Sequence, residues 1–430
     1  MRKALFYTLG CRLNQSETAI MARALESRGY RLTQKNTGVD LCVINTCTVT
    51  NQSDQKCRQV IRSLQKKNPQ ALFAVVGCFS QMAKDDIINI GGVKLIIGNQ
   101  EKLNLHRYLD QAEASEEPLV VMEPLSKDPF SIETIGQSLL TTRANLKVQD
   151  GCDFLCSFCV IPFARGRSRS RDPENIRREV LFLAEKGIKE VVLTGVNIGT
   201  YTHQEKDFYY ILDLLQSVEG IKRVRISSIE PTTVGSEIFA LMKDTSHKLL
   251  PYLHIPLQTP HDGILERMKR KYCYAEFLEY IEKALDEVPG IGIGSDVLTG
   301  FPGEGQEEFE SVLKRLSETP LHYFHVFPYA ERKGTVSERL NGKIDKRIIS
   351  ERVELLRLLS DKKKQVFIKG FLNRTLKVLF ESTKDDQSWH GYSENYIKVE
   401  VNSAQSLQNQ ILPVRVLEVG NGFLKGEILN

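Results

Sequence analysis

The sequence predicts an α/β protein in three parts: an amino-terminal α/β sheet domain, a partial TIM-like barrel of βα units, and a small antiparallel β-barrel at the carboxyl end. Three observations predict this fold class. Roughly the first hundred residues repeat an apolar run followed by a helix-like polar segment. The middle of the chain alternates strand and helix candidates, and the last part consists of short β-rich runs separated by turn residues. We expect domains at 1–134, 135–368 and 369–430, because 430 residues exceed the usual size of one hydrophobic core.

Each apolar run of the first domain is followed closely by a cysteine. The runs cover 4–9, 41–45 and 72–77. The cysteines are Cys11, Cys47 and Cys78. Ligands of open parallel sheets bind outside the carboxyl ends of the strands, so these three distant residues are predicted to converge on one site. The alternative is three separate buried cysteines, which are common in apolar interiors, but their matching positions favour a shared site.

Six strand candidates with helices between them predict an incomplete barrel in the middle domain. They start near residues 145, 190, 223, 252, 291 and 322. Barrel active sites form at the carboxyl ends of strands, where Asn197, Glu230 and Asp296 are found. For Glu230, capping of the following helix is an equal alternative.

A charged-faced helix over 346–368 leads from the barrel into the last domain, whose strand candidates are 375–381, 395–401, 412–419 and 423–429. The aromatic residues Trp389, Tyr392 and Tyr396, with Lys398, offer stacking and phosphate contacts suited to RNA. The alternative is that these aromatic residues fill the core of the barrel.

The composition is that of a water-soluble protein of the cytosol. Hydrophobic residues make up 41% and charged residues 26%, and no apolar run approaches the roughly 18 residues that span a bilayer. No export signal is recognised at the start of the chain. Nine cysteines in such a chain favour thiols for metal binding or catalysis over disulfides, because the cytosol keeps thiols reduced. The net charge of +4 permits an RNA partner without requiring one.

Cys152, Cys156 and Cys159 form a C-x3-C-x2-C loop directly after a strand candidate. Structural zinc sites close with four ligands, and the surrounding stretch has no histidine to complete one. Iron–sulfur clusters are held by thiolates at such spacings, and three ligands leave one iron open. The loop therefore predicts a cluster that binds and activates a cofactor.

This loop, with the aromatic Phe158 before its last cysteine, resembles that of the radical-SAM superfamily. The resemblance implies that S-adenosylmethionine (SAM) chelates the open iron of a four-iron, four-sulfur cluster. One electron then cleaves SAM to methionine and a 5′-deoxyadenosyl radical, while the barrel positions the reactants and excludes water.

The segments around the first three cysteines and those after the loop, including RISSIEP, HIPLQTPHDGILERMKRKY and SDVLTGFPGE, resemble the methylthiotransferase family within that superfamily. The resemblance implies that Cys11, Cys47 and Cys78 bind an auxiliary 4Fe–4S cluster involved in sulfur delivery, and that the last domain is an OB-like TRAM module. It implies transfer of a methylthio group to carbon 2 of threonylcarbamoyl-adenosine at tRNA position 37, with a second SAM as methyl donor.

The resemblance also implies partners: the anticodon loop of tRNA, a sulfur source, and an electron donor such as flavodoxin or ferredoxin, with no membrane. Alternative substrates within the family are isopentenyl-adenosine in tRNA and an aspartate of a ribosomal protein. An alternative of another class is a noncatalytic iron–sulfur RNA-binding protein.

Several side chains receive expected roles beside the cluster cysteines. Asp296 matches the superfamily position near the SAM nucleoside, where its carboxylate can accept ribose hydrogen bonds. Arg165 and Arg167 are expected to serve SAM or substrate, and the arginine run around them is expected to track RNA phosphates or form a solvated basic face. One departure is Thr259-Pro260-His261, where the family commonly has Ser-Gly after the glutamine. This departure puts local contacts in doubt.

Overall fold

The structure of the chain is a computed structural model that describes residues 1–138, 141–383 and 387–429. It confirms the predicted fold class: a parallel α/β sheet, a partial βα barrel and a small closed β-barrel follow one another along the chain. The strand pairs of the closed barrel are antiparallel except for β19 and β21, which pair in parallel. The domain limits at 134 and 368 stay predictions.

The amino-terminal part contains one six-stranded sheet in the order β2-β1-β3-β4-β5-β6, with every neighbouring pair parallel. Its strands are β1 (Lys3–Thr8), β2 (Arg31–Leu32), β3 (Leu41–Thr46), β4 (Leu72–Gly77), β5 (Leu95–Ile97) and β6 (Leu119–Val121). Its helices are α1 (Arg12–Ser27), α2 (Asn51–Lys67), α3 (Cys78–Met82), α4 (Lys84–Ile88) and α5 (Leu109–Ala114), with a 3-10 helix at Lys102–Arg107.

Strands β1, β3 and β4 are neighbours in this sheet, so their carboxyl ends lie side by side. Thr8 pairs with Asn45 at the end of β1, and Thr46 pairs with Gly77 at the end of β4. Alternate residues of the strands enter two separate hydrophobic cores, one on each face. A sheet buried on both faces is typical of parallel strands crossed by helices.

The middle part builds its barrel from two three-stranded parallel sheets, β13-β10-β7 and β14-β15-β16, which meet at a bridge between Val224 and Leu249. Its strands are β7 (Arg143–Lys147), β8 (Gln149–Asp150), β9 (Arg169–Ser170), β10 (Glu190–Thr194), β11 (Thr202–His203), β12 (Lys206–Asp207), β13 (Arg223–Ile226), β14 (Tyr252–His254), β15 (Gly292–Thr299) and β16 (Tyr323–Pro328). Its helices are α6 (Ile161–Arg165), α7 (Pro173–Glu185), α8 (Phe208–Ser217), α9 (Glu237–Lys243), α10 (Asp262–Arg267), α11 (Tyr274–Glu287), α12 (Gln306–Glu318) and α13 (Lys346–Lys369). The six predicted barrel strands are present as β7, β10, β13, β14, β15 and β16.

The carboxy-terminal part is a closed barrel in the order β17-β18-β19-β21-β20. Its strands are β17 (Thr375–Thr383), β18 (Ser388–Ser393), β19 (Lys398–Asn402), β20 (Ile411–Val419) and β21 (Leu424–Ile428). Sequence patterning missed β18, because its buried positions are Trp389, Gly391 and Ser393 rather than β-branched residues. A Cβ at Gly391 would lie 2.0 Å from the carbonyl oxygen of Leu379, so the close pairing of β17 and β18 requires glycine there.

Within the described residues, no helix combines the length and apolar character that crossing a bilayer requires.

Candidate active site

The loop that carries Cys152, Cys156 and Cys159 is held in a tight conformation. Gly151 opens it with a φ of +71°, and a Cβ there would lie 1.9 Å from the carbonyl oxygen of Arg167. The backbone N–H of Cys152 donates to Gly166 and that of Cys159 donates to the carbonyl of Cys156. Glycine is therefore the one residue type that this entry turn accepts.

The three loop thiols are close enough to act on one another. Burial, with a smaller contribution from the neighbouring Cys156, raises the pKa of Cys152 to about 11 and that of Cys159 to about 12. Three clustered thiols without a fourth ligand match a cluster with one open iron. Loading such a site requires that the metal displace the thiol protons.

Arg270, between α10 and α11, links this loop to the barrel. Its guanidinium donates to the Sγ of Cys156 at 3.3 Å and pairs with the carboxylate of Glu230. Burial raises the pKa of Glu230 and Arg270 opposes that shift. Sequence reasoning missed Arg270, although it lies in the quoted HIPLQTPHDGILERMKRKY segment. No local pattern joins Arg270 to the cysteine loop, so the contact is visible only in the structure.

The other predicted barrel residues lie around the loop. The carboxylate of Glu230 pairs with Arg270. The helix-capping alternative does not hold for Glu230, because the residue before the following helix, α9, is Ser236. Asn197 is 3% exposed, and its side-chain Nδ2 has no hydrogen-bond partner within the described residues. An unpaired buried amide marks a place for a polar ligand.

Asp296 and Phe158 border one small cavity of about 190 Å³, which is also lined by Cys159, Val49 and Thr50. The carboxylate of Asp296 contacts the Nε2 of His254 at 2.9 Å, which fixes its orientation. The small cavity is the space into which a ligand of the loop cluster would extend.

Gln258, just before the departure from the family pattern, also lines the small cavity. It has a φ of +69°, and its backbone bonds bridge to β15 through Asp296 and Leu298. Thr259 is fully buried and its hydroxyl has no partner within the described residues. The altered segment is therefore packed beside the cavity rather than turned away from it.

The three amino-terminal cysteines converge as predicted from the strand order. Cys11 precedes α1, Cys47 follows β3, and Cys78 begins α3. Cys11 is exposed, whereas Cys47 and Cys78 are buried. Burial, with smaller contributions from the neighbouring thiols of Cys78 and Cys11, raises the pKa of Cys47 to about 11, so the three thiols lie close together.

Two glycines make this convergence possible. Gly10 has a φ of +96°, and a Cβ there would lie 2.7 Å from the Cβ of Cys47. Gly77 has a φ of +102°, and a Cβ there would lie 2.9 Å from the carbonyl oxygen of Thr46. Both strand-to-helix turns are thus restricted to glycine.

Asparagine side chains tie the turns together. Asn14 donates to the carbonyls of Leu9 and Thr46, and Asn45 donates to the carbonyl of Asn14. Asn99 lies with its Nδ2 3.6 Å from the Sγ of Cys78. These bonds hold the three cysteine-bearing turns in one arrangement.

The two cysteine groups lie on the same side of the molecule. Val49 and Thr50, directly after Cys47, line the small cavity opposite Phe158 and Cys159. Arg332, after β16, donates to Thr48 and pairs with Asp54 at 2.7 Å, which clamps this part of the first domain to the barrel. The small cavity is therefore lined by parts of both segments, Cys159 of the loop and the turn after Cys47.

A buried charge network lies behind the cysteine groups. Arg165 is 1% exposed and pairs with Glu17 at 2.9 Å and with Asp150 at 3.0 Å. Lys147 pairs with the same two carboxylates, and Lys102 pairs with Glu17. The donors of Arg165 face these carboxylates, so its predicted contact with SAM or substrate stays a prediction.

The network carries more cations than carboxylates and lies next to a cysteine. Burial lowers the pKa of Lys102 and the neighbouring Arg165 lowers it further, whereas Glu17 and Cys78 raise it. Cys78 thus lies close enough to Lys102 and Arg165 to interact electrostatically with both.

The arginine run after the loop is only partly a basic surface. Arg169 and Arg171 are buried like Arg165, because Asp150 and Glu179 neutralise them inside the protein. The expectation of one continuous solvated face is wrong for these three. Arg167 is exposed and pairs with Asp153 at 3.4 Å.

A large cavity of about 600 Å³ lies between the barrel strands, α13, the carboxy-terminal barrel and Cys11. Tyr392, Tyr396 and Lys398 line it, as expected for residues that contact a ligand. Trp389 instead belongs to the core of the small barrel, in agreement with the alternative interpretation for that residue.

Each cysteine group offers three soft thiolate donors, which is the donor set of a cluster rather than of a magnesium or calcium ion. Among the described residues, no three His, Cys, Asp or Glu are placed to hold a single metal ion. The cysteine ligands of a cluster bind different irons, so they are spaced more widely than the ligands of one ion. The unpaired side-chain amide of Asn197 fits a polar group of a ligand. The cations near Cys78 fit an anionic group.

Comparisons with known proteins agree with this geometry. Residues 146–316 match the model of the radical SAM superfamily, and residues 3–98 match an uncharacterised protein family, UPF0004. The first match contains the cysteine loop, and the second contains all three amino-terminal cysteines.

Relatives match over the full length of the chain. A threonylcarbamoyladenosine tRNA methylthiotransferase (MtaB) of Bacillus subtilis is 36% identical, and the match covers 100% of this chain and 97% of the relative. A tRNA-2-methylthio-N(6)-dimethylallyladenosine synthase of Staphylococcus aureus is 29% identical, with 100% and 85% covered. The radical SAM methyltransferase TsrM of Kitasatospora setae, a structure with cobalamin and a 4Fe–4S cluster bound, has a TM-score of 0.52 and 16% identity, covering 76% of this chain and 75% of that one. At that identity the likeness concerns the fold alone.

Proposed function

The chain belongs to the radical-SAM methylthiotransferases of tRNA, and from this premise we propose that it adds a methylthio group to carbon 2 of threonylcarbamoyl-adenosine at tRNA position 37. As a radical-SAM protein it uses a four-iron, four-sulfur cluster and SAM. Relatives from several bacteria that are 31–36% identical carry the name of that activity, which supports the substrate assignment.

The single observation that carries the proposal is the small cavity, which is lined both by Cys159 of the loop and by Val49 and Thr50 directly after Cys47. A reaction that inserts sulfur at a carbon atom needs a radical generator and a sulfur carrier within reach of one substrate atom. Cys159 borders the small cavity from one side, and the turn after Cys47 borders it from the other. The large cavity is lined by Cys11 of the strand-end group, and its His254 contacts Asp296 of the small cavity.

We propose that Cys152, Cys156 and Cys159 hold the cluster that binds SAM, and that Cys11, Cys47 and Cys78 hold a second, auxiliary cluster. When bound, these groups supply one-electron cleavage of SAM, abstraction of the carbon-2 hydrogen, and the site from which sulfur is delivered. The overall reaction replaces that hydrogen by a methylthio group, with one SAM as radical source, a second as methyl donor, a sulfide source and a one-electron donor.

The side chains of the barrel have positioning roles in this proposal. Arg270 holds Cys156 and Glu230 in fixed relative positions through its two hydrogen-bonded ends. Asp296, oriented by His254, presents a carboxylate to the small cavity and would accept hydrogen bonds from the SAM ribose. Asn197 is a further candidate for a SAM contact, because its buried side-chain amide has no hydrogen-bond partner within the described residues.

The apolar walls of the small cavity also have a role in this proposal. Phe158 packs edge-on against Phe301, with Leu298 and Tyr329 completing the wall. Such walls exclude water, which protects a reactive radical from quenching and strengthens the electrostatic contacts of the polar groups.

The proposal includes partners that the reaction requires: tRNA presenting a splayed base of the anticodon loop, an electron donor such as flavodoxin or ferredoxin, and a sulfur source. A cytoplasmic location follows from the need for six reduced thiols and tRNA.

Mass spectrometry of nucleosides tests this function. The reconstituted protein is incubated anaerobically with SAM, reductant, sulfide and tRNA that carries threonylcarbamoyl-adenosine. We expect the methylthio derivative of that nucleoside. SAM cleavage without this product, followed by methylthiolation of isopentenyl-adenosine tRNA or of ribosomal protein, would retain the family and overturn the substrate. Absence of SAM cleavage by the loaded protein would point to a noncatalytic RNA-binding role.

A further inference from the structure

The large cavity is lined by cations. Its basic side chains are Arg12, Arg225, Lys364 and Lys398, with His254 and His325 beside them. Among the described residues that line it, none is an aspartate or glutamate. A cavity of about 600 Å³ with several cations and no lining carboxylate favours an anionic ligand.

The arginines of this wall already have partners inside the protein. Arg225 is buried and pairs with Glu190 at 3.0 Å. Arg143 pairs with Glu381, and Arg12 donates to the hydroxyl of Tyr396. Their charge is therefore partly used to hold the carboxy-terminal barrel against the middle domain.

The two lysines differ from the arginines. Lys364 lies on α13 and Lys398 begins β19, and both line the large cavity. In the part of the chain that the structure describes, neither has an ion pair. Burial lowers the pKa of the adjacent His325, with a contribution from His254, so that imidazole favours its neutral form. Together with Arg12, whose partner Tyr396 is uncharged, the lysines are the cations of the lining that have no carboxylate partner within the described residues.

The opposite side of the large cavity is aromatic. Tyr396 stacks on Tyr392 with ring centroids 4.8 Å apart, and Tyr252 lies 4.8 Å from Tyr396 on its other side. The guanidinium groups of Arg143 and Arg225 contact the ring of Tyr396 and fix it. Stacked tyrosines are suited to an unpaired base.

We propose that Lys364 and Lys398 bind the carboxylate of the threonylcarbamoyl group while the tyrosines contact the adenine that carries it. The inference rests on the proposed function and goes beyond it, because it assigns the choice of substrate to two residues. A carboxylate in a cavity lined by ammonium groups forms charge-assisted hydrogen bonds. An isopentenyl group has no charge and would leave both lysines unpaired, which disfavours that substrate.

A phosphate of the tRNA backbone is the other source of an anion with this chemistry. The two sources differ in what they predict. A phosphate contact would strengthen binding of every tRNA, whereas a carboxylate contact strengthens binding only of tRNA that carries the threonylcarbamoyl group.

The test uses the full-length, cluster-loaded protein and three anticodon stem-loop RNAs. One carries threonylcarbamoyl-adenosine, one carries the same nucleoside with its carboxylate converted to a methylamide, and one carries plain adenosine. Dissociation constants are measured for wild type, Lys364→Met, Lys398→Met and the double variant. Lys362→Met, an exposed lysine of the same helix outside the cavity lining, is the matched control.

We expect wild type to bind the carboxylate RNA about 10-fold to 100-fold more tightly than the methylamide RNA. The double variant should lose that preference and keep the affinity of wild type for plain RNA, and the control should behave as wild type. Equal weakening toward all three RNAs would assign the lysines to phosphate and overturn the inference. Equal methylthiolation of the amide and the carboxylate RNA by wild type would also overturn it while leaving the proposed function intact. Failure to methylthiolate either RNA would instead count against the proposed function.

Discussion

The two cysteine groups of this protein are built in opposite ways. Cys152, Cys156 and Cys159 lie within one loop of eight residues, so local chain geometry alone brings them together. Cys11 and Cys78 come from turns that are far apart in sequence and meet only because β1, β3 and β4 are neighbours in the sheet.

The two cysteine groups should therefore be sensitive to different substitutions. The loop group depends on a short backbone conformation and on Arg270. The strand-end group depends on tertiary packing, on two glycine turns and on the asparagine bonds between them. A substitution that disrupts one cysteine group should therefore leave the other largely intact.

The largest effect is expected from removing one cysteine of each group. Cys156→Ala should abolish SAM cleavage, because the loop then has only two ligands. Cys47→Ala should retain cleavage and stop methylthio transfer, because only the proposed auxiliary cluster is lost. Both products, 5′-deoxyadenosine and the methylthio nucleoside, are measured by mass spectrometry.

Cys273→Ala is the matched control, since this cysteine is exposed and lies before α11, away from both groups. Full methylthio formation by Cys47→Ala would show that the strand-end cysteines do not hold a cluster that the reaction needs.

The next effect comes from the glycine turns. Gly10→Ala adds a Cβ 2.7 Å from that of Cys47 in a left-handed backbone conformation. We expect loss of the strand-end cluster, with SAM cleavage retained, and a stability loss of about 1–3 kcal/mol from the backbone alone. Gly151→Ala should do the reverse, because its Cβ would meet the loop backbone at 1.9 Å.

Gly38→Ala controls for the backbone conformation, because Gly38 has a φ of +69° with nothing within 4 Å of its Cβ. It should lose stability without losing either cluster. If Gly38→Ala also lost iron selectively from the strand-end group, steric crowding of Cys47 would not be the cause.

Much of the difference between the two cysteine groups could be predicted from the sequence. The apolar runs located β1, β3 and β4 and the cysteines after them, because strand periodicity is strong where both faces are buried. The loop motif was recognisable from spacing alone. Neither of these two predictions required knowledge of the contacts between domains.

Other parts could not be predicted, because they depend on those contacts. The sequence predicts that Arg165 serves SAM or substrate, but no pattern in it shows that Glu17 of the amino-terminal part pairs with Arg165 in the interior. Arg270 lies more than a hundred residues from Cys156, and no local pattern joins them. Strand β18 lacks the residue types that mark strands and is held by its neighbours.

A smaller effect is expected from Arg270→Met. The change removes the hydrogen bond to Cys156 and leaves Glu230 buried without its cation. Partners of metal ligands typically affect metal affinity or activity by about 10–100-fold, so we expect SAM cleavage to fall by that factor. Arg270→Lys should recover part of the rate, and the spectrum of the strand-end cluster should not change.

The smallest expected effect is that of acid pH on the stability contributed by the buried charge network around Glu17. Burial raises the pKa of Glu17, but Arg165, Lys102 and Lys147 lower it well below its ordinary value. Its stabilising contribution is therefore complete above about pH 4, the ordinary unfolded pKa, and declines as the pH falls toward the depressed native pKa.

Glu17→Gln should therefore destabilise the protein by about 3–5 kcal/mol at neutral pH, since it leaves buried cations unpaired. Urea unfolding should show the same difference from wild type at pH 7 and pH 5, and a smaller one at pH 3. Glu133→Gln, in an exposed pair with Arg107, is the control. A difference that shrinks between pH 7 and pH 5 would contradict the depressed pKa.

The most direct test of the central claim is the iron and acid-labile sulfide content of the reconstituted protein, combined with electron paramagnetic resonance after reduction. Wild type should hold about eight irons per chain as two four-iron clusters. Cys47→Ala/Cys78→Ala and Cys152→Ala/Cys156→Ala should each hold about four, with complementary spectra. About four irons in wild type, unchanged when the strand-end cysteines are replaced, would show that these cysteines hold no cluster and would contradict the account.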